Sequence, residues 1–188
     1  MVLTIKKFMM FDLIVLTIIA IVVDIVGYFA SQTDLKFLYV ALSVVVMMIA
    51  YIRWDYKALV IPLIIAILHL ILYKGGTFVT QMIYSISLFS TSLGMIWFKL
   101  VKRDQIKDEV LLITGYFFTG YISLFLIQAL ASYVSGDVQW VTLLIRHSVN
   151  AILGFVIFFM ATKQQDLCVN MKAYLLRSIE ERKKEEGR

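Results

Sequence analysis

The chain has 188 residues, of which 61% are hydrophobic, and it carries a formal net charge of +5 at pH 7. A soluble globular domain has an apolar fraction of about 45–50%, so this composition excludes a soluble globule. The positive charges lie mostly in the segments that flank the apolar stretches, where they can meet anionic lipid headgroups, and they do not indicate nucleic-acid binding. We therefore predict an all-α integral membrane protein.

Six apolar stretches predict six transmembrane helices, since a bilayer core needs roughly 20 apolar residues per helix. In chain order these helices are expected at residues 8–30, 35–52, 58–73, 78–98, 110–134 and 140–162. The third is short and carries the only proline, Pro62, in its first turns, where the ring removes few helical hydrogen bonds. The remaining residues suffice only for short loops and terminal segments.

The Lys and Arg residues are distributed unevenly between alternate connections. Fifteen of the 18 lie before the first stretch, between the second and third, between the fourth and fifth, or after the sixth; the other three are Lys36, Lys74 and Arg146. Because Lys and Arg accumulate in cytoplasmic connections, this asymmetry predicts six crossings with both termini in the cytoplasm. The expected location is a bacterial cytoplasmic membrane.

Residues 166–186 are predicted to form a cytoplasmic amphipathic helix with Asp166 as its N-cap. Apolar residues recur there at helical spacing, and Lys and Glu occupy the other face. The chain would then consist of a six-helix transmembrane domain, residues 1–163, and a tail, residues 164–188. The tail either lies on the membrane surface or packs against a cytoplasmic partner.

Polar residues within the apolar stretches are informative, because an ionisable group at the centre of a membrane helix costs about 2.5–3.5 kcal/mol. Apart from Asp12, the deeper ones fall in the half of the bundle that is expected to face outside. On helices one, five and six they recur every three or four residues, and such stripes should point into the bundle. The candidate substrate-binding residues are Asp24, Tyr28, His69, Gln81, Tyr84, Gln128, Trp140, Arg146, His147 and Asn150.

Together these side chains predict an outward-facing site for a small molecule, since such sites combine apolar and aromatic walls with a few convergent polar groups. Arg146 could hold a carboxylate or phosphate, Asp24 could accept hydrogen bonds, and Tyr84 or Trp140 could stack on a planar ring. Each residue also has a structural alternative. Arg146 could reach lipid headgroups, His69 could be a packing histidine, and Asp24 could pair with Arg146 or with a histidine.

The sequence contains no pattern that is typical of catalysis or of nucleotide binding. The patterns H-E-x-x-H, G-x-S-x-G and the P-loop are absent. Cys168 is the only cysteine, and no Cys/His spacing suits zinc. We expect no enzyme activity, no cofactor and no metal, and any ATPase would be a separate chain.

Six helices in 188 residues, both termini inside, short loops and a polar pocket near the outer face resemble the substrate-binding S components of energy-coupling factor (ECF) vitamin transporters. The resemblance implies a subunit that captures a vitamin-like compound from outside. A separate transmembrane coupling subunit with its ATPases would supply the energy. The chain departs from the family's Ala-x-x-x-Ala pair on the first helix, because Leu16 and Asp24 flank Ala20 at four residues.

Two other functions stay open. The cell-shape protein MreD has a similar six-helix outline, which makes a structural or scaffolding membrane protein the main alternative, with the tail recruiting partners. The third is an intramembrane enzyme that would use Asp24, His69 and His147. It is the least favoured, because no nucleophile–base spacing is recognised.

Overall fold

The computed structural model describes residues 2–32, 41–72, 77–136, 139–164 and 166–186, and the regular structure of these residues is entirely helical. The described α-helices are α1 (Val2–Ser31), α2 (Ser43–Trp54), α3 (Val60–Leu72), α4 (Phe78–Ser87), α5 (Val110–Ser135), α6 (Trp140–Lys163) and α7 (Met171–Glu186). Three 3-10 helices lie between them, at Asp55–Leu59, Leu88–Lys99 and Arg103–Lys107. The predicted all-α class is confirmed. The helix ends predicted at residues 35 and 73 lie outside the described residues.

Helical stretches of membrane-spanning length and composition make up most of the fold. They are Thr4–Ser31, Ser43–Leu72, Phe78–Lys99, Val110–Ser135 and Trp140–Lys163. By length and hydrophobicity these five stretches fit a multi-pass membrane protein. The surface agrees with this, because apolar side chains such as Ile18, Val22 and Val26 of α1 are exposed on the outside of the bundle. A large apolar exterior suits lipid rather than water.

One of these stretches, Ser43–Leu72, is interrupted in its middle. α2 ends at Trp54, and the 3-10 turn Asp55–Leu59 leads into α3. Asp55 has a φ of 58°, in the left-handed region, where a right-handed helix cannot continue. The sequence predicts a break between residues 52 and 58, and the structure confirms it.

The interruption turns α2 and α3 into an antiparallel hairpin along α1. Ser43 at the start of α2 and His69 near the end of α3 both hydrogen-bond to Asp24. Trp54 at the end of α2 donates its Nε1–H to Asp12 Oδ2 at 2.5 Å. Asp12 precedes Asp24 by more than three turns of α1. We therefore call the two ends of the bundle the Asp12 end and the Asp24 end.

Arg53 holds the Asp12 end together. Its Nε and Nη2 donate to Asp12 at 2.8 and 2.9 Å, and its Nη1 donates to the main-chain oxygens of Asp166 and Leu167, both at 2.8 Å. The two side chains are 9% and 16% exposed, so this bidentate pair is largely shielded from water. Arg53 thereby joins α1, the end of α2 and the segment that follows α6.

The connection between α4 and α5 also reaches the Asp12 end. Asp104 Oδ1 accepts a hydrogen bond of 2.6 Å from the backbone N–H of Asn170. Nη1 of Arg103 lies 3.5 Å from the main-chain oxygen of Ile52. All four cation-rich segments of the sequence therefore meet at the same end of the bundle. Lys36 and Lys74, from the alternate connections, lie outside the described residues.

The polar stripes on α1, α5 and α6 point inward, as predicted. On α1, Thr17 and Asp24 are buried while Ile18 and Val22 are exposed. Other buried residues on the same faces are Ala20 and Gly27 on α1, Tyr121 and Ser132 on α5, and His147, Asn150 and Gly154 on α6. Hydrophobic periodicity therefore indicates correctly which face of each helix is buried.

The predicted fourth helix, 78–98, has two parts, because it is an α-helix only as far as Ser87 and a 3-10 helix from Leu88 to Lys99. In the 3-10 part the hydroxyls of Ser90 and Thr91 donate to main-chain oxygens three residues earlier. The part packs closely on α5, where a Cβ added to Gly120 would lie 2.7 Å from the main-chain oxygen of Thr91. Hydroxyl-bearing side chains that bond within their own helix, together with the absence of a side chain at Gly120, allow this close approach.

The predicted start of the C-terminal helix is wrong. α7 begins at Met171, and the side chain of Asn170 accepts a hydrogen bond from the backbone N–H of Ala173 at 3.4 Å, as an N-cap does. Asp166 has a φ of 62° and is not helical. Tertiary contacts explain the later start of the helix. The main-chain oxygen of Asp166 accepts a hydrogen bond from Arg53, and Cys168 is fully buried.

Candidate ligand-binding cavity

A cavity of about 810 Å³ lies at the Asp24 end, between the helices α1 to α6. It reaches the level at which α1 and α3 end and α4 begins, because residues at those helix ends line it. Eight of the ten predicted site residues line the cavity: Tyr28, His69, Gln81, Tyr84, Gln128, Arg146, His147 and Asn150. The helical phase of separate segments therefore identifies side chains that meet in one place.

Asp24, the ninth predicted residue, lies beneath the cavity wall and does not line it. Its carboxylate is fully buried, accepts a hydrogen bond of 2.7 Å from Ser43 Oγ, and hydrogen-bonds to Nε2 of His69. His69 lines the cavity, and its side chain is 14% exposed. The pairing of Asp24 with a histidine, one of the two partners considered from the sequence, is the one found. It ties α1, α2 and α3 together.

Trp140, the tenth predicted residue, does not line the cavity. It is the first residue of α6 and is 47% exposed. Seven residues separate it from His147, so the two share a helical face. Trp140 lies two turns nearer the helix start, beyond the part of α6 that borders the cavity.

Asn150 and His147 form the α6 wall of the cavity. Asn150 Oδ1 accepts a hydrogen bond of 2.6 Å from the backbone N–H of Ala41, and its Nδ2 donates to the main-chain oxygen of Arg146 at 2.9 Å. Tyr121 donates its hydroxyl to the main-chain oxygen of His147 at 3.1 Å, and that hydroxyl lies 3.3 Å from Nδ1. Nε2 of His147 is buried and has no hydrogen-bond partner among the described residues. An unpaired buried polar atom costs free energy, so its position in a cavity wall calls for a functional explanation.

Neutral hydrogen-bonding groups form the α4 and α5 walls. The hydroxyl of Tyr84 bonds to that of Ser132, and Nε2 of Gln128 donates to Ser87 Oγ at 3.0 Å. These bonds fix the walls and leave part of the hydrogen-bonding capacity of each group available, since hydroxyls and amides have several donor and acceptor positions.

A smaller recess of about 180 Å³ adjoins the cavity. It is lined by Tyr84, Ser132, Gln139, Thr142, Leu143 and Arg146. Tyr84 and Arg146 border both spaces. We call it the side recess. The sequence predicts only part of its lining. Tyr84 and Arg146 are among the candidate substrate-binding residues, whereas Gln139 and Thr142 are not.

Below the cavity, toward the Asp12 end, the bundle is filled by large apolar and aromatic side chains. Tyr116, Phe117 and Phe158 are fully buried, and the ring centroids of Tyr116 and Phe117 each lie 5.6 Å from that of Phe158. Tyr116 donates its hydroxyl to the main-chain oxygen of Met48 at 2.7 Å. Large apolar and aromatic side chains therefore close the cavity on this side.

The described part of the chain contains no group of three His, Cys, Asp or Glu side chains that could hold a metal ion.

Comparisons with protein-family models, with curated proteins and with solved structures find no match to the chain. The function must therefore be argued from the cavity itself.

Proposed function

We propose that this protein is the substrate-binding membrane subunit of an uptake system for a small, vitamin-like micronutrient. The observation that carries the proposal is the cavity of about 810 Å³ at the Asp24 end, lined by polar and aromatic side chains from five helices. Its volume and its mixture of apolar walls with a few convergent polar groups are those of small-molecule sites. The unpaired Nε2 of His147 supports this, since a wall kept for packing alone would not need a buried imidazole.

The proposed orientation follows from the charge distribution. The four cation-rich segments meet at the Asp12 end, and such segments accumulate on the cytoplasmic side of a membrane. The chain would cross the membrane six times, with α2 and α3 as the second and third crossings and with both termini in the cytoplasm. The Asp24 end and its cavity would then face outside, and α7 would lie on the cytoplasmic side.

Uptake by this chain would need an energy source that the chain does not provide. No nucleotide-binding pattern occurs in the sequence, so a separate transmembrane coupling subunit with ATPases would drive transport, as in the ECF systems that the chain resembles. The chain itself would bind and orient its ligand without chemical change.

Equilibrium binding to the purified protein in lipid nanodiscs tests the proposal. Isothermal titration with a panel of water-soluble vitamins is expected to show at least one ligand with submicromolar affinity. Gln81→Leu, which replaces a cavity amide by an apolar group of similar size, should weaken binding of that ligand tenfold or more. Gln164→Leu, at an exposed position after α6, is the matched control and should bind as the wild type does. Absence of submicromolar binding across the panel would contradict the proposal.

A scaffolding role is the second candidate, and the attachment of α7 favours it. Arg53 fixes the segment before α7 through two main-chain hydrogen bonds, while the charged residues from Glu180 to Glu185 are exposed. This arrangement presents a helix at a fixed place on the bundle. Quantitative pull-down decides between the two roles: co-purification of wall-synthesis or cytoskeletal proteins favours a scaffold, and co-purification of ATPase subunits favours uptake.

A further inference from the structure

We infer that the ligand of the cavity is a small organic anion whose carboxylate or phosphate binds Arg146 in the side recess, while the rest of the molecule occupies the larger cavity. The inference rests on the proposed function and names the chemical class of its substrate. Three features of the described residues support it: the charge of the lining, the donors of the side recess, and the relative size of the two spaces.

The lining of the two spaces is cationic. Among the described residues, Arg146 is the only lining residue with a permanent charge, and none of the Asp or Glu residues in that part of the chain lines either space. The buried carboxylate of Asp24 is enclosed by Ser43 and His69 beneath the wall. Coulomb interactions are strong where water is displaced, so the lining favours an anion over a neutral or cationic molecule of the same shape. The guanidinium has five donors in a rigid fork and can bind a carboxylate while it keeps other contacts.

The side recess adds neutral donors next to the guanidinium. The hydroxyls of Tyr84 and Ser132 share one hydrogen bond, so whichever of them accepts it retains its own proton for a ligand. The hydroxyl of Thr142 donates to the side-chain oxygen Oε1 of Gln139 at 3.4 Å. This bond leaves the side-chain N–H groups of Gln139 available. Donors that surround an anionic group on several sides form the strong, charge-assisted type of hydrogen bond.

The two volumes divide the ligand between them. About 180 Å³ suits an anionic group with little else attached, whereas about 810 Å³ suits a ring system or a comparable organic body. Tyr84 and Arg146 border both spaces, so a single molecule can contact both. The inferred ligand is therefore a compact body with one terminal anionic group.

Matched pairs of vitamins that differ only in this group test the inference. We would measure equilibrium binding of nicotinate against nicotinamide, biotin against biotinamide, and riboflavin phosphate against riboflavin, with thiamine as a cationic ligand, all to the protein in nanodiscs. In any pair that binds, the anion should bind at least tenfold more tightly than its neutral partner. Arg146→Gln should abolish this preference without weakening the neutral partner, and Arg146→Lys should keep part of it, since lysine retains the charge but not the fork.

Two further variants keep the test decisive. Arg177→Gln removes an exposed cation of α7 and should leave the preference unchanged. Thr142→Val, at an exposed position that tolerates substitution, removes the hydroxyl that orients the side-chain amide of Gln139. It should weaken the anion several-fold and spare the neutral partner, and it serves if Arg146→Gln does not fold. Tight binding of neutral compounds or thiamine, with no preference for an anion, would overturn the inference and leave the proposed function standing. Failure of every compound to bind would overturn both.

Discussion

Asp24 places a carboxylate with no solvent exposure inside a helix that is long and apolar enough to cross a membrane. Such a group is costly unless its hydrogen bonds are satisfied. Ser43 and His69 provide these bonds, so the carboxylate connects α1 to both halves of the α2–α3 hairpin. Its contribution to binding would be indirect, through the position of His69 in the cavity wall.

Replacement of Asp24 should therefore destabilise the fold. Asp24→Leu leaves the hydroxyl of Ser43 and the ring of His69 without their acceptor, and we expect the free energy of unfolding to fall by about 3 kcal/mol. Reversible unfolding in mixed micelles with increasing dodecyl sulfate measures the change. Asp108→Leu, at an exposed acid, is the control and should change stability little. Equal stability of the two variants would contradict a structural role for Asp24.

Cys168 provides a second residue-level prediction, at the Asp12 end. Burial raises the pKa of its thiol to about 12, although Arg53 and Lys107 act to lower it. The thiolate is the reactive form, so almost none is present between pH 7 and pH 9. We expect a maleimide to leave the folded protein unlabelled over that range and to label it rapidly after unfolding in dodecyl sulfate. Rapid labelling of the folded protein at pH 7 would show that the segment before α7 is not packed as described.

The sequence predicts the polar residues of the cavity well and their partners poorly. Helical phase places His147 and Asn150 on an inward stripe, because an unpaired polar group cannot face lipid. The phase of one helix carries no information about the next, so the bonds from Asp24 to Ser43 and from Asn150 to Ala41 were not predictable. It also does not give depth along the helix, and for that reason it did not reveal that Trp140 lies away from the cavity lining.

At the scale of the element, the closest packing joins α5 to the 3-10 helix Leu88–Lys99. Gly120 allows it, because an added Cβ would lie 2.7 Å from the main-chain oxygen of Thr91 and 2.6 Å from the end of Met48. Hydropathy depends on which residues a segment contains and not on whether the segment is an α-helix or a 3-10 helix. The sequence therefore predicts a helix here but not the tighter winding, which depends on contact with α5.

Gly120→Ala should separate these two elements. The methyl group meets backbone, which cannot turn away as a side chain could, so we expect a loss of about 1–3 kcal/mol in the free energy of unfolding. The measurement is again unfolding in mixed micelles. Ser123→Ala in the same helix removes only a hydroxyl that bonds to the main-chain oxygen of Thr119, and it should cost much less. If Gly120→Ala is no less stable than Ser123→Ala, the described packing is incorrect.

At the scale of the whole molecule, the two ends of the bundle differ in chemistry. The Asp12 end collects the cation-rich segments around the Arg53–Asp12 pair, and the Asp24 end holds a polar cavity whose described lining contains no acid. The segregation of charge is readable from the sequence, because it depends only on which connection each Lys or Arg occupies. The volume of the cavity and the presence of the side recess cannot be predicted from the sequence, because both depend on how the helices pack together.

The proposed function requires that the cavity opens to the outside of the cell. Cysteine accessibility tests it directly, in a Cys168→Ser background with Gln81→Cys in the cavity or Lys172→Cys at the start of α7. With a membrane-impermeant maleimide we expect labelling of the Gln81→Cys protein in intact cells and of the Lys172→Cys protein only after permeabilisation. The opposite pattern, or a cysteine at position 81 that no treatment labels, would contradict the account.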